Sequence, residues 1–62
     1  MNMLIEWKYP DEKKLHIRTH YDVDPLSIKI ENNSLIFQSI GEPGHCIYPL
    51  SHIVSVRTEE EE

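Results

Sequence analysis

The chain has 62 residues, of which 39% are hydrophobic and 27% charged, with a formal net charge of −5. This length allows one domain with a small core, and such domains rarely gain more than about 3–5 kcal/mol from one core. Cys46 is the only cysteine, which excludes a disulfide within the monomer and fits a reducing compartment. The N-terminus lacks a basic start, and no apolar run approaches the ~20 residues of a membrane span. We therefore expect a cytoplasmic protein without a signal peptide or membrane segment.

The acidity of the chain is concentrated at its end. Four of the eleven acidic residues are Glu59–Glu62, which leaves seven acids against six Lys and Arg, a net of −1. A run of like charges repels itself and is usually disordered. We expect one β domain over residues 1–58, followed by an acidic, disordered tail over residues 59–62.

The first two predicted strands alternate apolar and polar side chains. The pattern covers residues 2–9 and residues 14–20, and a period of two is typical of half-buried strands. A connection of three or five residues would set Trp7 opposite Ile17 and place the apolar residues of both strands on one face. We therefore expect this register in the first hairpin.

The central hairpin is predicted from both its turn and its pattern. After an irregular link over residues 21–25, residues 26–31 alternate again and are followed by Asn32–Asn33. Asparagine tolerates positive φ, so a two-residue type I′ turn is favoured. This turn pairs Ile30 with Leu35.

A second turn is predicted over Gly41–Gly44 from its glycine and proline content. A four-residue loop there pairs Phe37 with Tyr48 and keeps the apolar residues on one face. The apolar wall predicted for these three strands consists of Leu26, Ile28, Ile30, Leu35, Phe37, Cys46, Tyr48 and Leu50.

The end of the pattern suggests a fold. Pro49 cannot donate to a strand ladder, residues 50–52 are predicted to form a short 3₁₀ turn, and a last strand covers residues 53–59. The succession of strand, short turn and strand around Tyr48–Ile53 resembles the end of SH3-like barrels, although the sequence shows no clear counterpart of their aromatic ligand groove. The resemblance implies a fold and no function. We expect an all-β protein, a small antiparallel meander of about five strands that forms an SH3-like or partly open barrel.

Metal and thiol chemistry are both disfavoured by strand geometry. His16 and His20 would lie two pleats apart, about 13 Å, which is too far for one ion. His45 and Cys46 are neighbours whose side chains point to opposite faces of a strand, so they form neither a metal pair nor a nucleophile–base pair. The sequence predicts no catalytic residue, no metal and no cofactor.

The register that buries the apolar wall turns three isoleucines to the opposite face, with two polar residues at the rim. If barrel closure or the last strand covers this face, it is a second core wall. If the face stays uncovered, a contiguous apolar patch marks an interaction surface. The predicted partner-binding residues are Ile36, Ile40, Ile47, Gln38 and Lys29, and the alternative binding face is His16, Arg18 and His20.

These features favour a non-enzymatic protein-binding module, an accessory subunit or a small inhibitor of a larger protein. The shortness of the chain is compatible with a phage or mobile-element origin, and the predicted partner is another protein or a second copy in a homodimer. The alternative is a small nucleic-acid-binding β-barrel. That function would need a basic face with interleaved aromatics, and the near-neutral body and acidic tail oppose it.

Overall fold

A computed structural model describes residues 1–60 and confirms an all-β protein, with six strands rather than about five. The strands form two three-stranded antiparallel sheets, of order β2-β1-β6 and β3-β4-β5, which do not close into a barrel over the described residues. No helix within residues 1–60 is long and apolar enough to span a bilayer. The elements are β1 (Asn2–Trp7), β2 (His16–His20), a 3₁₀ turn (Pro25–Ser27), β3 (Lys29–Glu31), β4 (Ser34–Phe37), β5 (Cys46–Pro49), a second 3₁₀ turn (Leu50–His52) and β6 (Ile53–Glu59).

The end of the chain follows the sequence prediction. A 3₁₀ turn precedes β6, and β6 pairs with β1 along its whole length. The predicted tail begins inside this strand, because Glu59 pairs with Asn2. Its last two residues, Glu61 and Glu62, lie outside the described residues.

The central hairpin also follows the prediction. Asn32 and Asn33 have φ of 52° and 58°, the left-handed conformation that a type I′ turn requires at both central positions. The turn sets Ile30 opposite Leu35.

The next hairpin keeps the predicted face but not the predicted register. Phe37 pairs with Cys46 and Leu35 with Tyr48, two residues away from the expected register, because the connection spans residues 38–45 instead of four residues. A shift of two leaves every side chain on its original face, since the side-chain period of a strand is two.

The predicted register of the first hairpin is wrong by one residue. Trp7 pairs with His16 rather than Ile17, so β2 turns its polar side chains toward the face that carries the core residues of β1, and Ile17 is exposed. The pairing of β1 with β2 ends at Trp7, and the next amide, that of Lys8, donates to the carbonyl of His52, the residue that precedes β6. The inward residue His20 has hydrogen-bond partners, which offsets the cost of burying a polar ring.

The apolar wall begins later than predicted. Leu26 lies in the first 3₁₀ turn and is 94% exposed, and Ile30 is exposed as well. Asp24 caps the turn that holds Leu26, since its carboxylate accepts from the Leu26 amide and its carbonyl accepts from the Ser27 hydroxyl. Leu50, also predicted inward, is exposed in the second 3₁₀ turn.

The core lies between the two sheets and is small. The link between β2 and the first 3₁₀ turn contributes to it, because Val23 is buried and forms a bridge to Ser39. The buried apolar residues are Met3, Ile5, Val23, Leu35 and Phe37, with His20 and Ser39 as buried polar residues.

Two leucines test this core with the same substitution. Leu35 is 7% exposed and Leu26 is 94% exposed. Leu35→Ala should lower the free energy of unfolding by about 2–5 kcal/mol, which is most of the stability of such a small domain. Leu26→Ala should change it by less than about 0.5 kcal/mol. Urea denaturation followed by circular dichroism measures both, and equal losses in the two variants would contradict the observed packing.

Candidate functional site

A polar cluster lies at the junction of the two sheets, and His20 is its centre. This last residue of β2 is 1% exposed, and its ring packs edge-on against Phe37 with 5.0 Å between ring centroids. Nε2 lies 2.7 Å from the Tyr48 hydroxyl, and Nδ1 lies 3.3 Å from a carboxylate oxygen of Glu42. His20 therefore connects β2 with β5 and with the loop that precedes it.

The loop over residues 38–45 positions Glu42. Gly41 and Gly44 have φ of 91° and 71°, which allows the chain to turn on either side of the carboxylate. Oε1 of Glu42 accepts from Arg18 at 3.1 Å, and Oε2 accepts from the Cys46 thiol at 2.9 Å. One exposed guanidinium and two less exposed donors thus converge on one carboxylate.

The protonation states follow from this network. The hydrogen bond from the Cys46 thiol lowers the pKa of Glu42, so Glu42 is an ionised acceptor. Burial, and then the hydrogen bond to Glu42, raise the pKa of Cys46 to about 11, so the thiol keeps its proton. Burial lowers the pKa of His20 despite the opposing pull of Glu42, so the ring is neutral at neutral pH. Its Nδ1–H donates to Glu42, and Nε2 accepts from the Tyr48 hydroxyl.

Sequence reasoning missed this cluster because it compared histidines and cysteine only along one strand or between chain neighbours. His20, Glu42 and Cys46 converge because β2 pairs one residue away from the predicted register and because the loop before β5 is longer than predicted. The chain carried one available signal. The polar face of β2 holds two histidines and an arginine. A register that buries any of these side chains requires hydrogen-bond acceptors from another part of the chain.

The predicted isoleucine face is assembled in part. Ile36 and Ile47 lie directly opposite each other on β4 and β5, and Lys29 pairs with Ile36 from β3. Ile40 and Gln38 lie in the loop after β4, outside the strand pairs. The structure therefore brings three of the five predicted residues together on the outer face of the β3-β4-β5 sheet.

An aromatic groove of about 150 Å³ borders this face. Trp7 stacks on His16 at 4.3 Å between ring centroids, and Tyr9 meets the edge of Trp7 at 5.2 Å. The Nε1–H of Trp7 is buried with no acceptor among residues 1–60, so packing rather than hydrogen bonding holds the ring. The groove is lined by Trp7, Tyr9, Ile47, Tyr48, Pro49 and His52.

The alternative face is not assembled as one exposed surface. His16 is stacked on Trp7, and Arg18 is exposed and bonded to Glu42. His20 is buried at the sheet junction. The predicted trio therefore has three different environments.

Comparison with protein-family models, with curated proteins and with solved structures gave no match.

Acidification should destabilise the protein in two steps. The folded state lowers the pKa of His20 below the ordinary 6.5, so the unfolded state binds more protons as the pH falls below 6.5 and stability declines. Protonation of Glu42 adds a further loss of stability below pH 4.5, because folding also lowers the pKa of this carboxyl group. Urea unfolding across this range should show the decline.

Two variants assign the first step to its source. His20→Gln should flatten the decline in unfolding free energy between pH 6.5 and pH 4.5. His45→Ala, which removes an exposed histidine, is the matched control and should keep that decline. A parent protein whose stability does not change across this range would contradict the assignment of His20 as a buried neutral ring.

Proposed function

We propose that the protein is a non-enzymatic protein-binding module that docks through the outer face of the β3-β4-β5 sheet. The observation that carries this proposal is the position of Ile47. Its side chain is 59% exposed, lies opposite Ile36 and also lines the aromatic groove. One exposed residue thus joins the predicted isoleucine face to a concave apolar surface.

The shape and composition of this surface support the proposal. Small-molecule sites are concave and mostly apolar, and protein interfaces are enriched in aromatic residues, with an apolar centre. The groove combines a tryptophan and two tyrosines with Pro49 at the end of β5. Pro49 has no amide hydrogen to donate, so side-chain contacts rather than strand addition would dominate binding at this end of the edge strand.

A second copy of the chain is the occupant we favour. Five buried apolar residues make a small core, and association that covers further apolar surface would add the stability that a domain of this size lacks. In a two-fold dimer the same patch meets itself, so Ile47 of one copy would pack near Ile47 of the other. A dimer of this kind is compatible with a role as an accessory subunit or a small inhibitor of a larger protein in the cytoplasm.

Catalysis by the cysteine is disfavoured by its environment. Nucleophilic cysteine acts as a thiolate, and the Cys46 thiol has a pKa raised to about 11 and donates to Glu42.

Nucleic-acid binding, the second candidate, would need free positive charge. Among residues 1–60, three of the six Lys and Arg side chains lie within 4 Å of a carboxylate. The near-neutral body adds to the argument against phosphate binding.

The finer architecture is also a proposal. The orders β2-β1-β6 and β3-β4-β5, with a 3₁₀ turn between β5 and β6, support an SH3-like arrangement of two packed sheets in a partly open barrel. The aromatic groove beside that turn adds to the likeness. This likeness concerns the fold and carries no function.

Two isoleucines of nearly equal exposure test the binding face. Ile47 is 59% exposed on β5, and Ile17 is 61% exposed on β2 in the other sheet. Ile47→Asp should raise the dissociation constant of the dimer at least about tenfold, because it places a charge in the centre of an apolar contact. Ile17→Asp should leave association unchanged. Sedimentation equilibrium measures both, and circular dichroism checks that both variants fold.

Two results would overturn the proposed self-association: a parent that remains monomeric at high protein concentration, or an Ile17→Asp variant that dissociates as strongly as Ile47→Asp. Binding of single-stranded DNA with steep salt dependence would instead favour the nucleic-acid alternative.

A further inference from the structure

We propose that His20, Glu42 and Cys46 form a binding site for one zinc ion. The three residues come from β2, the 38–45 loop and β5, and their ligand atoms all lie within 4.8 Å of one another. An imidazole nitrogen, a carboxylate oxygen and a thiol sulfur are the three kinds of ligand that Zn²⁺ uses in proteins. The three ligands lie outside the proposed docking surface, which meets the site only at Tyr48, and the site does not depend on the proposed function.

The distances between the ligand atoms fit a tetrahedral ion. Bond lengths of about 2.0–2.3 Å and tetrahedral angles place the ligand atoms of a zinc site roughly 3.3–3.6 Å apart. The Cys46 sulfur lies 3.8 Å from Nδ1 of His20 and 2.9 Å from Oε2 of Glu42, while the other carboxylate oxygen, Oε1, lies 3.3 Å from Nδ1 and also holds Arg18. With Oε2 as the ligand oxygen and Oε1 left to Arg18, the sulfur–oxygen contact must lengthen by roughly 0.5 Å to reach the spacing of a coordination shell.

The surroundings of His20 provide a second observation. Metal-binding histidines usually donate their other ring N–H to an oxygen that fixes the orientation of the ring. The far nitrogen of His20 lies 2.7 Å from the Tyr48 hydroxyl, and the ring is buried against Phe37. With the ion on Nδ1, the ring proton moves to Nε2 and is donated to the Tyr48 oxygen.

The charges around the site are balanced. Zinc displaces the Cys46 proton to solvent, and the thiolate and the Glu42 carboxylate then neutralise the ion. Arg18 is the other charge that faces the cluster, at 3.1 Å from Oε1 of Glu42. One carboxylate oxygen can bind the ion while the other keeps this guanidinium, which then orients the ligand from outside the first coordination shell. Three protein ligands leave the fourth position for water or a small ligand.

Titration of the reduced, metal-free protein with Co²⁺, a spectroscopic substitute for Zn²⁺, tests the site. One equivalent should produce the near-ultraviolet charge-transfer band of a thiolate–cobalt bond together with the visible bands of tetrahedral cobalt. Added Zn²⁺ should remove these bands. Failure to observe the charge-transfer band in the folded parent would overturn the proposal.

Variants identify the ligands. Cys46→Ser should abolish the charge-transfer band, and Glu42→Gln, a change in an exposed loop, should weaken Co²⁺ binding while circular dichroism shows that the fold persists. Tyr48→Phe should lower the affinity by about 10–100-fold, the cost of removing an orienting partner from a metal-bound histidine. His45→Ala, beside Cys46 but outside the cluster, should bind as the parent does. Undiminished binding in the Glu42 and Tyr48 variants, or equal loss in His45→Ala, would overturn the assignment.

Discussion

The structure depends on burying one histidine between two small sheets. The β2-β1-β6 and β3-β4-β5 sheets share a core of five apolar residues, and such a core alone supplies little stability. His20 lies at their junction and makes hydrogen bonds to Tyr48 and Glu42. Because an unpaired buried polar group would cost about 1–3 kcal/mol, these partners stabilise the packing of the two sheets. The histidine thus fixes the relative position of β2, β5 and the loop between β4 and β5.

Tyr48 links the two candidate sites. Its hydroxyl bonds His20 in the polar cluster, while its ring lines the aromatic groove and lies 6.1 Å from Trp7 between centroids. The proposed docking surface and the proposed zinc site therefore share one side chain. A displacement of the Tyr48 ring at the groove would therefore also displace its hydroxyl at the polar cluster. The ring is in addition stacked against Phe37 in the core.

Local pattern predicted the elements whose registers are set by short turns. The Asn32–Asn33 turn, the last strand and the face assignment of Phe37 all follow from period-two alternation and turn chemistry. The pattern failed where the connection was long. The 8–15 segment allowed β2 to pair one residue away from the register that would bury Ile17, and in the observed register His20 bonds Tyr48 and Glu42 instead. The cluster of His20, Glu42 and Cys46 joins residues from both sheets and a loop, so the alternation of side chains within one strand does not predict it.

The most direct test of this account is the state of the His20 ring in solution. Nitrogen-15 NMR of the imidazole should show a neutral ring with a proton on Nδ1 that exchanges slowly with water, and nuclear Overhauser contacts to the rings of Phe37 and Tyr48. The ring should gain its second proton only below pH 6.5. A ring that exchanges rapidly, titrates as an exposed histidine and shows no contact to either aromatic ring would contradict the packing of the two sheets around His20.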